Sequence, residues 1–285
     1  MSLVYLNGEY MAPEEAKISP MDRGFLFGDG IYEVIPAYYG KMLGFDAHVA
    51  RIQEGLAAIE INLDYTGEQW RAICDTLISN NPGPNQGIYL HVSRGTDSKR
   101  NHAYPRGIAP TVFAFCFELP GEPTADAHSA TTYTVSLEQD RRWQRCNIKS
   151  TALLGNVIHY QSGAREGNKE TILFNAKDEI TEASSSNVFI VKDGVIATPV
   201  LDNQILPGIT RWLICEIVRS HSELVIEERV VTKAELLSAD EVWITSATKE
   251  VGPVVKVADT VIGEGKPGKI WQQVQTLFTT HKFDY

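Results

Sequence analysis

Lys149 sits in Ile148-Lys149-Ser150-Thr151, between an apolar residue and two hydroxyls and directly before an apolar stretch. A lysine amine becomes a nucleophile or proton carrier when burial or a neighbouring cation lowers its pKa. Most lysines instead lie along the surface with the charge in water. Glu182 belongs to a second unusual stretch, Glu179 to Asn187, in which Ser184, Ser185 and Ser186 run straight into the apolar residues Val188 to Val191. Small hydroxyls at a strand edge let a ligand approach closely; a polar turn has the same composition. In Leu206-Pro207-Gly208-Ile209-Thr210-Arg211, a glycine before a helix start exposes backbone N–H groups suited to an anion, with the Thr210 hydroxyl beside them. An ordinary helix start with a nearby proline looks alike. Arg51, between the apolar positions 49 and 52, is either a guanidinium fork aimed at an anion or a side chain skirting the core. Thr245-Ser246-Ala247-Thr248 adds hydroxyls after a strand. Ser98-Lys99-Arg100-Asn101-His102 gathers three bases in a loop of an acidic chain, a candidate carboxylate site or a solvated cluster. Taken singly, none of these stretches selects chemistry over its ordinary reading.

The elements that must position these residues follow from periodicity and breakers. Leu3–Leu6 reads as a strand ending at the Asn7-Gly8 hairpin signal, and Glu14–Ser19 as the next strand. Phe25 to Tyr39 is apolar and β-prone up to a turn at Tyr39-Gly40-Lys41. From Asp46, Val49, Ile52, Leu56 and Ile59 recur at helical spacing, and a second helix spans Gly67 to Asn80 before Asn81-Pro82-Gly83-Pro84. Gly87–Arg94 and Thr111–Glu118 read as strands around the polar loop Gly95–Pro110. Leu119-Pro120-Gly121-Glu122-Pro123 is the linker candidate. Beyond it lie a strand at Thr131–Leu137, a helix from Leu153 to Ala164 and strands at Thr171–Phe174 and Asn187–Val191. A turn follows at Asp193-Gly194, then a helix from Pro207, a strand at Val242–Thr245 and a closing helix from Trp271 to Phe278. Strands and helices mixed in both halves imply two α+β domains.

The chain has 285 residues, of which 43% are hydrophobic and 22% charged, ordinary usage for a globular protein with a sizeable core. A net charge of -10 argues against coating nucleic acid or docking on anionic lipid. Cys74, Cys116, Cys146 and Cys215 are widely spaced, which points to thiols in a reducing compartment rather than a disulfide frame or a metal site. With no long apolar run and no leader-like N-terminus, the cytoplasm is the expected location.

In combination the stretches resemble the fold-type IV pyridoxal-phosphate enzymes, the family of D-amino acid transaminases, branched-chain transaminases and aminodeoxychorismate lyases. The markers are Asp22-Arg23-Gly24, Gly28-Asp29-Gly30-Ile31-Tyr32-Glu33, His48-Val49-Ala50-Arg51, Ile148-Lys149-Ser150, Thr181 to Phe189 and Leu206 to Arg211. Each is weak alone. Together, in the family's order and spacing, they are specific and span essentially the whole chain. The resemblance implies a small N-terminal α+β domain, 1–119, and a larger one, 120–285, with pyridoxal 5'-phosphate at the domain interface. It implies Lys149 as the Schiff-base lysine and Glu182 at the ring nitrogen. Arg51, the backbone of Ile209 and Thr210, and Thr248 fall at the phosphate, and Leu206 against the ring. Ser185, Ser246 and Ala247 complete the cofactor set, Ala247 standing where some relatives carry a hydroxyl. Arg100 and His102 match the Arg-x-His pair with which D-amino acid transaminases hold a substrate α-carboxylate; Tyr32 and Val34 line the same pocket. The expected reaction is ping-pong transamination between a D-amino acid and a 2-oxo acid, by a homodimer whose Arg-x-His loop is lent to the partner. Same-fold alternatives are a branched-chain L-amino acid transaminase, an (R)-amine transaminase or an aminodeoxychorismate lyase. A binding protein on a degenerate enzyme fold is disfavoured because Lys149, Glu182 and Arg51 are all present.

Overall fold

Residues 2–285 are described by a computed structural model, in which the chain forms two units. The first runs to Glu122 and takes in Ile148–Leu153; the second comprises Pro123–Asn147 and Leu154–Tyr285. The Lys149 segment, expected with the second half, therefore belongs to the first unit.

The first unit contains β1 (Val4–Leu6), β2 (Glu9–Met11), α1 (Arg23–Phe27), β3 (Gly30–Tyr38) and β4 (Lys41–Met42), then α2 (Phe45–Ala58), α3 (Gly67–Asn80), β5 (Asn85–Ser93) and β6 (Thr111–Glu118). Its antiparallel sheet has the order β2-β1-β6-β5-β3-β4. Strand period sends alternate residues of β3 to opposite faces. Ile31, Ile35 and Ala37 join Ile52, Leu56, Trp70, Ile73 and Leu77 in a core with α2 and α3, while Tyr32 and Val34 lie on the other face, half-buried. Thr66 and Gln69 form a reciprocal capping box that starts α3.

Two expectations fail here. Glu14–Ser19 is not a strand; the chain turns at Asn7-Gly8 and pairs at once as β2. Phe25 to Tyr39 is not one continuous strand either. The Asp22 side chain caps α1, and Gly28, at φ 66°, ends it before β3 begins. A Cβ on Gly28 would lie 2.9 Å from the Ala152 Cα, so glycine also lets the Lys149 segment come close.

The second unit contains β7 (Tyr133–Gln139), α4 (Leu154–Arg165), β8 (Thr171–Phe174), β9 (Ile180–Ala183), β10 (Asn187–Lys192) and β11 (Val195–Thr198). It continues through α5 (Ile209–His221), β12 (Ile226–Glu228), α6 (Lys233–Leu237), β13 (Glu241–Ser246), β14 (Glu250–Val257), β15 (Thr260–Val261) and α7 (Lys269–His281). Its sheet follows β12-β11-β10-β13-β14-β7-β8-β9, with β15 beside β14. Val135, Ile172, Val188, Ile190, Ile244 and Val254 form one core. α5 and α7 pack together and against β13 and β14 through buried Leu213, Ile214, Ile217, Trp271 and Phe278. β14 was not expected from the sequence; it holds Gly252 and Pro253, residue types uncommon inside strands. No helix of the described residues is long and apolar enough to cross a membrane, and all four cysteines are free.

Candidate active site

Lys149 is fixed by its backbone. The Tyr32 N–H donates to the Lys149 carbonyl at 3.0 Å, Ser150 bridges to Ile31, and the Thr151 N–H donates to the Gly30 carbonyl at 2.9 Å. The Thr151 hydroxyl adds a bond to the Gly28 carbonyl at 3.0 Å. Position 149 is thereby tied to the start of β3, beside Tyr32. The half-buried Nζ lies 4.1 Å from the Tyr32 ring centroid and has no hydrogen bond or ion pair among the described residues. An amine facing an aromatic ring rather than a carboxylate is available for reaction with a carbonyl.

Arg51 is buried on α2, and its partner is one the sequence reading did not name. Its Nε donates to Glu33 Oε1 at 2.6 Å and its Nη2 to Oε2 at 2.9 Å. His48 Nδ1 lies 2.7 Å from the same Oε2. Burial opposes ionisation of Glu33, but Arg51 and His48 outweigh it and hold the carboxyl well below the usual range. Burial pushes His48 down, with Glu33 opposing. The fork is thus locked in orientation by a carboxylate on β3.

Arg100 and His102 are exposed, and neither side chain makes a hydrogen bond or ion pair among the described residues. They meet on one ring: the Arg100 guanidinium lies 5.0 Å and the His102 ring 5.4 Å from the Phe27 centroid. Tyr32 stacks on Tyr89 at 5.6 Å on the open face of the sheet.

In the second unit, buried Glu182 accepts from Arg142 Nη1 at 2.5 Å and from the Leu206 N–H at 3.1 Å. Arg142 also donates to Asp140 Oδ2 at 2.7 Å, so one guanidinium serves two carboxylates, buried Glu182 and half-buried Asp140, and one negative charge is left uncompensated. Burial accordingly pushes Glu182 up to about 7 against the pull of Arg142. Asn187 Nδ2 donates to the Leu206 carbonyl at 2.9 Å and lies 3.4 Å from Glu182 Oε2, and Asn187 pairs in register with Thr245. This one asparagine therefore ties together Glu182, the start of α5 and the end of β13. Gly208 precedes α5 with no side-chain cap, and a Cβ there would lie 2.0 Å from Asn187 Oδ1. Thr210 is buried, Ile209 and Leu206 are half-buried, and the Ser246 and Thr248 hydroxyls lie 3.4 Å apart on either side of Ala247. Ser185 has a different partner. Its hydroxyl donates to buried Glu170 at 2.5 Å; Ser184 and Ser186 donate to the same carboxylate, and Lys249 lies 3.8 Å from it.

These features suit a pyridoxal phosphate. The unmatched charge at Glu182 suits a protonated ring nitrogen. The uncapped N–H groups of α5, with Thr210, Ser246 and Thr248, suit a phosphate dianion. Sequence reasoning missed Arg142, Asp140, Glu33, His48 as a partner of Glu33, and Glu170, all of which act through residues distant in the chain. His48, Glu33 and Arg23 stood inside the quoted markers without a role; Arg142, Asp140 and Glu170 carried no signal.

A family model described as amino-transferase class IV matches residues 30–257. The chain is 37% identical over 284 residues to a D-alanine aminotransferase of Staphylococcus haemolyticus, covering 99% of this chain and 98% of the relative. It is 38% identical to that of Bacillus licheniformis, covering 96% and 94%. Among solved structures, a branched-chain amino acid aminotransferase of Escherichia coli superposes with a TM-score of 0.88 at 23% identity, covering 98% and 94%. A branched-chain amino acid aminotransferase of Thermoproteus uzoniensis with norvaline gives 0.85 at 23% identity, covering 99% and 95%. At these identities the solved structures establish the fold.

Proposed function

The chain belongs to the class IV aminotransferases, and from that membership we propose that it is a pyridoxal-phosphate-dependent D-amino acid:2-oxo acid aminotransferase acting on substrates of the D-alanine and D-glutamate class. The observation that carries the reading is the exposed, unpaired Arg100 and His102, gathered on Phe27 in the same unit as the Lys149 amine. Such a pair suits an α-carboxylate and has no use with a simple amine. The likeness to D-alanine aminotransferases over nearly the full length supports the same choice.

Bound, the cofactor supplies a carbonyl carbon that receives the amino group and a ring that withdraws electrons from the substrate α-carbon. Lys149 would anchor it, and its free amine would move the proton at the substrate α-carbon. Glu182, held by Arg142, Leu206 and Asn187, keeps a proton on the ring nitrogen. Arg51, the amides of Ile209 and Thr210, and the 246–248 segment would hold the phosphate; Leu206 would offer the ring an apolar surface, and Ser185, bonded to Glu170, would shape the site only indirectly. Tyr32 and Val34 line the substrate pocket. Arg100 and His102 hold the α-carboxylate so that the hydrogen of a D-amino acid faces Lys149.

The working form is proposed to be a cytoplasmic homodimer. α4 supports the dimer: Leu154, Val157 and Ile158 are 73%, 57% and 59% exposed, an apolar row that water does not favour and a second copy would cover. The four free thiols support a reducing compartment. A half-reaction tests the function. Holoenzyme given D-alanine and no 2-oxo acid should release about one pyruvate per active subunit and stop, a burst that marks two separate binding events. No product until 2-oxoglutarate is added would overturn the ping-pong reading.

A further inference from the structure

Arg23 and Asp29, each inside a marker stretch, have no part in the chemistry above, yet they anchor the loop that carries Arg100 and His102. The Arg23 side chain is buried, and its three nitrogens point to three acceptors. Nε donates to Asp29 Oδ2 at 2.7 Å, Nη1 to the Asn101 carbonyl at 2.5 Å and Nη2 to the His102 carbonyl at 3.2 Å. Asp29 also accepts from Arg94 Nε at 2.8 Å and Nη2 at 3.0 Å, and the Arg94 guanidinium lies 3.5 Å from the Tyr104 ring centroid. The Arg23 N–H donates to the Gly95 carbonyl at 2.9 Å, closing the base of the loop. The Arg23 guanidinium lies 4.8 Å from Phe27, the ring on which Arg100 and His102 meet.

We propose that Arg23, oriented by Asp29, is a positioning residue that presets Arg100 and His102 for the substrate α-carboxylate; this rests on the function proposed above. A planar guanidinium with one edge fixed by a carboxylate holds two successive carbonyls in one orientation, which an ammonium cannot do. His102 carries one of the two clamped carbonyls, and Arg100 immediately precedes the other, on Asn101. Without the clamp, the long loop would have to be ordered by the substrate itself, and the loss would fall on binding rather than on the proton transfer at Lys149.

The test compares wild type, Arg23→Gln and Arg23→Lys as holoenzymes with D-alanine and 2-oxoglutarate. Arg23→Lys keeps the charge and guards against loss of folding. The KM for D-alanine should rise about tenfold in Arg23→Gln and less in Arg23→Lys, with kcat within about threefold. Trypsin cleavage after Lys99 and Arg100 should accelerate in the same order, a readout of loop order independent of turnover. An unmoved KM in an active enzyme, a fall confined to kcat, or cleavage at the wild-type rate would each overturn the clamp. A wild type with no turnover of any D-amino acid would instead overturn the function on which it rests, and the carboxylate role with it.

Discussion

A lysine amine packed over a tyrosine ring, with no carboxylate to neutralise it, is placed for covalent chemistry. Borohydride reduction of the holoenzyme followed by peptide mapping should put the pyridoxyl label on Lys149; a label on Lys177 or Lys192 would refute the assignment. Glu182 makes a pH prediction. Its ordinary value is 4.5, and burial in the folded chain pushes it to about 7, outweighing the opposing pull of Arg142, with the Asp140 charge adding to the rise. Between those two values the unfolded chain has already released the proton while the folded chain still holds it, so stability falls as pH rises through the window. Cofactor-free protein should therefore melt at a lower temperature at pH 8 than at pH 5, and Glu182→Gln should flatten that difference. An unchanged difference in the variant would show that the guanidinium fully compensates the carboxylate. Lys149, Glu182 and Arg51 stood out as candidates because each lies in a short marker. Their partners did not: Arg142 lies 40 residues from Glu182, and Glu33 lies 18 from Arg51. Only the fold brings such pairs together, and no local spacing reports them.

The elements explain how the parts are held. The period of two along β3 sends Glu33 inward to Arg51 while Tyr32 and Val34 stay on the open face, so one strand serves two roles. The strand's existence was readable in the sequence; its start was not, because the Asp22 cap and the left-handed Gly28 interrupt an apolar run. Likewise β9 was hidden by its polar sequence, Ile180 to Ala183, although all four residues are buried. At the start of α5 the approach of Gly208 to Asn187 leaves no room for a side chain. Gly208→Ala should displace Asn187 and loosen Glu182 and the α5 amides together. Cofactor loss on dialysis should then be several-fold faster, with a melting temperature of the cofactor-free protein close to wild type. Equal retention would mean that this corner plays no part in holding the group.

For the whole molecule, the proposed dimer rests on the exposed apolar row of α4. Ile158→Glu places a charge in that row and should shift sedimentation from dimer to monomer with loss of activity; a fully active monomer would argue against the dimer. A net charge of -10 and free thiols were evident from composition, but which face meets a partner was not, since the sequence marks α4 only as a helix and not which of its residues stay exposed. The most direct measurement is the ratio of kcat/KM for D-alanine to that for L-alanine and L-leucine, with 2-oxoglutarate as acceptor. With the α-carboxylate held by Arg100 and His102 as proposed, only one enantiomer would turn its hydrogen to Lys149, and D-alanine should be favoured by at least about 100-fold. Preference for L-leucine, or equal rates for both enantiomers, would contradict a D-amino acid aminotransferase.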